Sequence, residues 1–163
     1  MKKSIPENKS LKELYRQLII NHAKHPLNFG KPENESLFAE GINPLCGDKI
    51  RVYLNIDENN IINKLHFEGT GCAISIASAS LMTSTLTNIN KNKATQYVLS
   101  LINNLSQTNP SKIDQSIINS QEIEALEGVK NFPSRIKCAT LSWQTFLSAL
   151  KNNNNNKITT TER

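Results

Sequence analysis

The stretch KIRVYLNIDENNIINKLHFEGTGCAISIASASLM, residues 49–82, contains two alternating segments followed by a helical one. In the first segment, apolar residues occupy every second position: Ile50, Val52, Leu54 and Ile56. The letters ENN then indicate a turn, after which IINKLHFEG alternates again. A period of two is typical of strands that bury one face. The stretch therefore begins with a predicted hairpin of antiparallel strands.

Helical patterns surround this hairpin. After GTG, the segment CAISIASASLM is small and apolar on nearly every side, which predicts a buried helix. Ser10 and Glu13 form an S-x-x-E capping box before a helix that starts at Leu11. Further helices are predicted in TQYVLSLINNL and in PSRIKCATLSWQTFLSAL, with Pro133 in the first turn of the latter. Since SLFAEGI favours a short additional strand, we expect an α+β domain: a small antiparallel sheet of about three strands, with helices packed on one face.

The chain length of 163 residues indicates one domain. We expect a flexible N-terminus over residues 1–10 and a folded domain over residues 11–150. Residues 151–163 begin with KNNNNNK, which has nothing to pack, so an asparagine-rich disordered tail is predicted there.

The net charge of +5 is concentrated at the start of the chain. Residues 1–31 hold the whole excess of Lys and Arg over acids, on a tail and one helix. This distribution, with a single Trp, argues against nucleic-acid binding. The sequence has no apolar run of membrane-spanning length and no apolar segment behind its first lysines, so neither a membrane protein nor a secreted one is expected. We expect the reducing cytoplasm, where free thiols serve as ligands or nucleophiles.

Each of the three cysteines lies at the boundary of a predicted element. Cys46, in NPLCGD (43–48), precedes the first long strand, Cys72 opens the buried helix, and Cys138 lies in the first two turns of the last helix. Strand starts and helix starts meet readily at one end of a sheet. Three thiolates and the Asp48 carboxylate would then form a tetrahedral site suited to zinc or to an iron–sulfur cluster. Gly47 would let Cys46 and Asp48 face the same ion from a tight turn.

Other interpretations of the same residues stay open at this point. The cysteines form no C-x-x-C pair, and isolated cysteines are often small buried hydrophobes. The histidines are weak candidates, because His66 lies on the outward face of its strand, His22 continues a core stripe and His25 lies in a turn. With no histidine near Cys138, a Cys/His hydrolase has no evident base.

Four motifs together resemble those of the NifU/IscU/SufU family of iron–sulfur cluster assembly proteins. In chain order they are LYRQLIINHAKHPLNFG, NPLCGD, FEGTGCAISIASASLM and RIKCATLSW. The resemblance spans about residues 11 to 150. It implies the α+β fold of the family, with Cys46, Asp48, Cys72 and Cys138 around one surface site.

Within the family, two features resemble the SufU branch. Lys137 stands where IscU-type scaffolds have a histidine, and the segment between the second and third cysteines is longer than in IscU, within residues 88 to 125. The resemblance implies a zinc-dependent sulfurtransferase that accepts persulfide sulfur on Cys46 from a SufS-type cysteine desulfurase and passes it to the SufBCD scaffold. Arg135 or Lys137 would pair with Asp48 or steady the anionic ligands, or else be solvated charges. The alternative is an IscU-like scaffold that assembles a [2Fe–2S] cluster on the same residues.

Overall fold

The computed structural model describes residues 10–34, 37–106 and 121–151, and the backbone of residues 158–160. Two short 3-10 turns, Glu127–Asn131 and Pro133–Arg135, precede the last helix. The remaining elements, in chain order, are α1 (Leu11–Lys24), β1 (Leu37–Asn43), β2 (Asp48–Ile56), β3 (Ile62–Thr70), α2 (Ala73–Leu86), α3 (Lys91–Ser106), α4 (Gln121–Leu126), α5 (Ile136–Lys151) and β4 (Ile158–Thr160).

The sheet has the strand order β3-β2-β1-β4. The predicted antiparallel strands are confirmed: β1 pairs with β2, and β2 with β3, both antiparallel. In addition, β4 pairs in parallel with the outer edge of β1. This strand falls within residues 151–163, for which the sequence predicts a disordered tail. Its residues, ITT, are β-branched and favour a strand, but the asparagine run before them dominates the composition.

The other parts of the predicted domain division stay predictions. Residues 1–9, 152–157 and 161–163 lie outside the described residues, so the flexible N-terminus and most of the tail are not tested.

The conformation of the hairpin turn between β2 and β3 suits its asparagine-rich sequence. The Asp57 carboxylate accepts hydrogen bonds from the backbone N–H groups of Asn59 (2.8 Å) and Ile61 (2.9 Å). Asn60 adopts φ 62°, a left-handed conformation that asparagine tolerates better than most residues. The turn sets the register that places alternate side chains of β2 and β3 on the core face.

Helices α2 and α5 pack on that core face. The apolar residues of the two alternating patterns that face the core are fully buried, namely Ile50, Val52, Leu54, Leu65 and Phe67, whereas Ile56 at the end of β2 is only partly buried. On β1, Gly41 lets α5 approach closely, because a Cβ at this position would lie only 2.0 Å from Thr145 Oγ1. Close packing of α5 on the sheet fixes the position of the helix start that carries Cys138.

Tyr53 differs from the alternation pattern. It was expected on the polar face of β2, yet it is only 1% exposed. The Phe38 ring lies 6.2 Å from its ring, and its hydroxyl donates to the Glu68 carboxylate. The outer face of the sheet therefore has a small covered cluster, which alternation alone does not show.

Helix α1 begins as its capping box predicts, with Ser10 Oγ accepting from the Glu13 N–H. His22 is buried in the helix stripe, as expected, and it also joins three helices. Its Nδ1 lies 2.8 Å from Ser80 Oγ on α2, and its Nε2 lies 2.7 Å from Glu122 Oε2 on α4. The hydrogen bond with His22 lowers the pKa of Glu122 below its usual value.

The last helix starts later than predicted. Pro133 opens a 3-10 turn, and α5 itself begins at Ile136, which places Cys138 in its first turn. Across the described ranges, none of the helices is long and apolar enough to cross a bilayer.

Candidate metal centre

The predicted site residues come from three elements that meet at one end of the sheet. The connection from β1 to β2 is short, because Asn43 and Asp48 pair across it. Gly47 in this turn has φ +71°, the left-handed conformation that glycine adopts without strain. The turn therefore presents Cys46 while the Asp48 side chain, 0% exposed, is buried beneath it. This agrees with the role expected for Gly47.

Three of the four predicted ligands lie together. One ligand atom each from Cys46, Asp48 and Cys138 forms a group in which all atoms lie within 4.8 Å of one another. The two sulfurs are 3.3 Å apart. Cys46 is half-buried, whereas Cys138 is fully buried. The cluster thus has a buried base and one thiol with access to solvent.

Cys72 borders this group without joining it through its sulfur. Its backbone N–H donates to Asp48 Oδ1 at 2.8 Å, and its Sγ lies 3.6 Å from Ser75 Oγ. Cys72 is the N-cap residue of α2 and uses no side-chain capping bond. Its role as a fourth ligand stays a prediction, with the residue held beside the site by its backbone.

Two glycines let the strand-to-helix connection approach Asp48. A Cβ on Gly71 would lie 2.5 Å from Asp48 Oδ1, and one on Gly69 would lie 2.1 Å from the carbonyl oxygen of Lys49. Real Cβ atoms do not approach so closely. The letters GTG are therefore required by the close contact between this connection and the start of β2.

Asn43 was not predicted as a site residue. It is 1% exposed, and its Nδ2 donates to Asp48 Oδ2 at 3.4 Å and to Cys138 Sγ at 3.6 Å. Its Oδ1 is buried without a hydrogen-bond partner among the described residues. An amide that directs its donor at two candidate ligands, at the cost of an unpaired acceptor, is well placed to stabilise negative charge on both.

Arg135 supplies positive charge beside the thiols of the cluster. Burial raises the pKa of the Cys138 thiol well above its usual value, and hydrogen bonds with Cys46 and Asp48 raise it further. The hydrogen bond of Arg135 with Cys138 raises the pKa of that guanidinium, and the charges of Cys72 and Cys46 add to the effect. The Arg135 guanidinium therefore lies close enough to the candidate ligands for their charges to raise its pKa. Lys137 is half-buried next to Cys138.

The donor set fits zinc. Thiolates and a carboxylate are zinc ligands, and a tetrahedral site with Zn–S bonds of about 2.3 Å would separate two sulfurs by roughly 3.8 Å. The observed separation of 3.3 Å needs only a small adjustment. The same sulfur-rich set also suits an iron–sulfur cluster.

The sequence of the chain matches a known protein family. The family model described as the NifU-like N terminal domain matches residues 14–139. The zinc-dependent sulfurtransferase SufU of Bacillus subtilis (strain 168) is 44% identical over 137 residues, covering 84% of this chain and 89% of that protein. The iron–sulfur cluster assembly scaffold protein IscU of Thermotoga maritima is 32% identical over 141 residues, covering 86% and 94%.

Solved structures show the same fold. The crystal structure of FiSufU of Fervidobacterium islandicum AW-1, described as an iron–sulfur cluster assembly scaffold protein for the SUF system, matches with a TM-score of 0.75 and 32% identity. The match covers 85% of this chain and 97% of that one. The chain therefore belongs to the family of NifU-like N-terminal domains, as its four motifs predicted.

Proposed function

We propose that this protein is a zinc-dependent sulfurtransferase of iron–sulfur cluster assembly, with Cys46 as its sulfur acceptor. The observation that carries the proposal is the cluster of Cys46, Asp48 and Cys138, in which Cys46 has access to solvent. The 44% identity to a zinc-dependent sulfurtransferase supports the reaction class.

The metal would be held by Cys46, Asp48, Cys72 and Cys138. Bound zinc supplies positive charge that keeps coordinating thiols deprotonated. The protein's own groups act in the same direction: Asn43 donates to Asp48 and Cys138, and the Arg135 guanidinium lies beside Cys138. For Cys72 to ligate through its sulfur, its side chain would turn away from Ser75.

The transfer step uses the nucleophilicity of Cys46. Its thiolate attacks the outer sulfur of a cysteine persulfide on the donor protein, forming a new S–S bond as the donor S–S bond breaks. The donor cysteine leaves as a thiolate, and Cys46 becomes the persulfide, so no oxidant or reductant is consumed. Cys138 is 0% exposed and cannot meet a donor protein, which favours Cys46 over Cys138 for this role. Cys72 is half-buried like Cys46, but its sulfur lies outside the cluster.

The partners follow from this chemistry. A cysteine desulfurase generates a protein persulfide, and we assign a SufS-type desulfurase, which itself uses pyridoxal phosphate, as the donor. The SufBCD scaffold is the proposed destination of the sulfur. Since all three cysteines are free, we place the protein in the reducing cytoplasm.

The second candidate is an IscU-like scaffold that assembles a [2Fe–2S] cluster on the same residues. It is favoured by the sulfur-rich donor set and by similarity to IscU of Thermotoga maritima. Against it, Lys137 stands where scaffolds have a histidine, and a protonated amine cannot ligate iron.

Metal content and desulfurase stimulation separate these functions. Protein purified without added metal is analysed for zinc and iron, then added to a SufS-type desulfurase with cysteine and reductant. We expect one zinc per chain and a faster release of sulfide that is lost in Cys46→Ala. A brown protein that gains a cluster with iron and sulfide would establish the scaffold instead, and a zinc protein without effect on the desulfurase would contradict the transfer function.

A further inference from the structure

A groove of about 620 Å³ lies on the surface beside the metal centre. It runs between α1 and the turn that precedes α5, with α2 contributing one residue. Its lining combines an apolar floor with charged rims, and consists of Ser10, Lys12, Glu13, Tyr15, Arg16, Ile19, Ile20, Ile74, Phe132 and Arg135.

The groove adjoins the ligands directly. Two of its lining residues stand next to candidate ligands in the chain: Arg135 precedes Cys138 by three residues, and Ile74 follows Cys72 by two. A protein that delivers a persulfide to Cys46 must cover the surface around the site. A partner docked there would therefore also contact the groove.

The groove exposes apolar surface that folding leaves uncovered. Ile20 and Phe132 in the lining are each 42% exposed, and Leu11, which lies outside the lining at the start of α1, is 71% exposed. On the other side of the site, Leu45 beside Cys46 is 76% exposed. Large apolar side chains that surround a functional site mark an interaction surface. The hydroxyl of Tyr15, which also lines the groove, is buried without a hydrogen-bond partner in the described part of the chain.

Charge determines which occupant fits. The rims present Lys12, Arg16 and Arg135 against the single acid Glu13. The chain's own first nine residues contain three lysines and one acid, so their charge does not complement these rims. An acidic segment with apolar side chains would meet complementary charge at the rims and an apolar floor.

We propose that this groove binds an acidic, apolar segment of the cysteine desulfurase, and that Lys12 and Arg16 on α1 serve this contact. The inference rests on the proposed function. The proposed contact assigns a role to part of the positive charge of residues 1–31, because Lys12 and Arg16 belong to that segment and line the groove. Complementary charges of this kind raise the rate of association and set the orientation of the partners.

The test reverses charges inside and outside the groove while the net charge stays matched. Lys12→Glu/Arg16→Glu alters the rim, and Lys24→Glu/Lys93→Glu serves as the control. Both control lysines are exposed. Lys24 is the last residue of α1. Lys93 lies three residues after Asn90, and Asn90 bridges to Ile61 at the hairpin end of the sheet, the end opposite Asp48. Thermal unfolding of each variant verifies the fold.

Binding to a SufS-type desulfurase is measured by calorimetry at low and high salt, and stimulation of sulfide release is measured in parallel. We expect the groove variant to raise the Kd and the half-saturating concentration about tenfold or more, with a weaker salt dependence and an unchanged plateau of stimulation. The control should stay within about twofold of wild type, because long-range attraction changes equally in both variants.

Equal effects of the two variants, or no binding by the wild type, would overturn the groove assignment. Binding that depends on the groove without any stimulation would support the assignment and contradict the transfer function, so the two failures are distinguishable. A wild-type dimer that dissociates in Ile20→Ser would assign the groove to a second copy of the chain and would also overturn the proposal.

Discussion

Replacement of Asn43 by leucine tests how the protein supports its ligands. Leucine has the same four branched side-chain heavy atoms as asparagine but no donor, so Asp48 and Cys138 would each lose one hydrogen bond. The variant also removes the unpaired Oδ1. Removal of an unpaired acceptor offsets part of the loss, so we expect little change in the stability of the metal-free fold.

The magnitude follows from the contact lengths. A hydrogen bond to a charged group contributes about 1.5–3 kcal/mol at ordinary length. The contact with Asp48, at 3.4 Å, is longer than an ordinary N–H···O bond. We therefore expect a loss of about 1–2 kcal/mol in zinc binding, which is a Kd about 5- to 30-fold higher.

The assay is competition for zinc with a chromophoric chelator, and the absorption spectrum of the cobalt-substituted protein reports the ligand geometry. Asn104→Leu provides the matched control. Asn104 is also buried, donates to the Glu127 carboxylate at 2.7 Å and has an unpaired Oδ1, but it lies on α3. A zinc affinity of Asn43→Leu within twofold of wild type, or an equal loss in the control, would refute the assignment.

Two further contacts are tested by substitution, with Gly30→Ala as the control for the first. Gly71→Ala places a Cβ 2.5 Å from Asp48 Oδ1, so we expect a loss of about 1–3 kcal/mol of stability and weaker zinc binding. Gly30 has φ +117°, and no atom lies within 4 Å of the Cβ that alanine would add there. Gly30→Ala should therefore lower stability through backbone strain and leave zinc affinity unchanged. Glu122→Gln removes a carboxylate whose pKa is lowered by His22. A lowered folded-state pKa stabilises the protein above the unfolded value of 4.5, and this contribution is lost as the pH falls through the folded value. Because the Glu122 side chain is 53% exposed, the wild type should be more stable than the variant by less than about 1 kcal/mol above that pH. Denaturant unfolding should show this stability difference closing at lower pH, and a difference independent of pH would contradict the role given to the hydrogen bond with His22.

Much of the fold is readable from local pattern. The capping box at Ser10, the alternation of β2 and the small apolar sequence of α2 each describe an element whose period matches its structure. The site was also predictable, because cysteines at element boundaries and the NPLCGD turn are local features of the chain. The structure brings Cys46, Asp48 and Cys138 together as the motifs indicated.

The remaining features depend on contacts between distant residues. The hydrogen bond between His22 and Glu122 joins residues 100 positions apart. In addition, the sequence of α4 has no strong periodicity that would predict a helix there. The burial of Tyr53 depends on Phe38 in a neighbouring strand. The role of Asn43 could not be predicted from its residue type, because asparagine is frequent throughout this chain.

The most direct test of the account is to locate the transferred sulfur. Zinc-loaded protein is incubated with persulfidated SufS-type desulfurase and then digested, and mass spectrometry of the thiol-labelled peptides identifies the cysteine that carries the additional sulfur. The account predicts the persulfide on Cys46, with Cys72 and Cys138 unmodified, and no transfer to Cys46→Ala. A persulfide on another cysteine, or equal transfer to the variant, would contradict Cys46 as the acceptor.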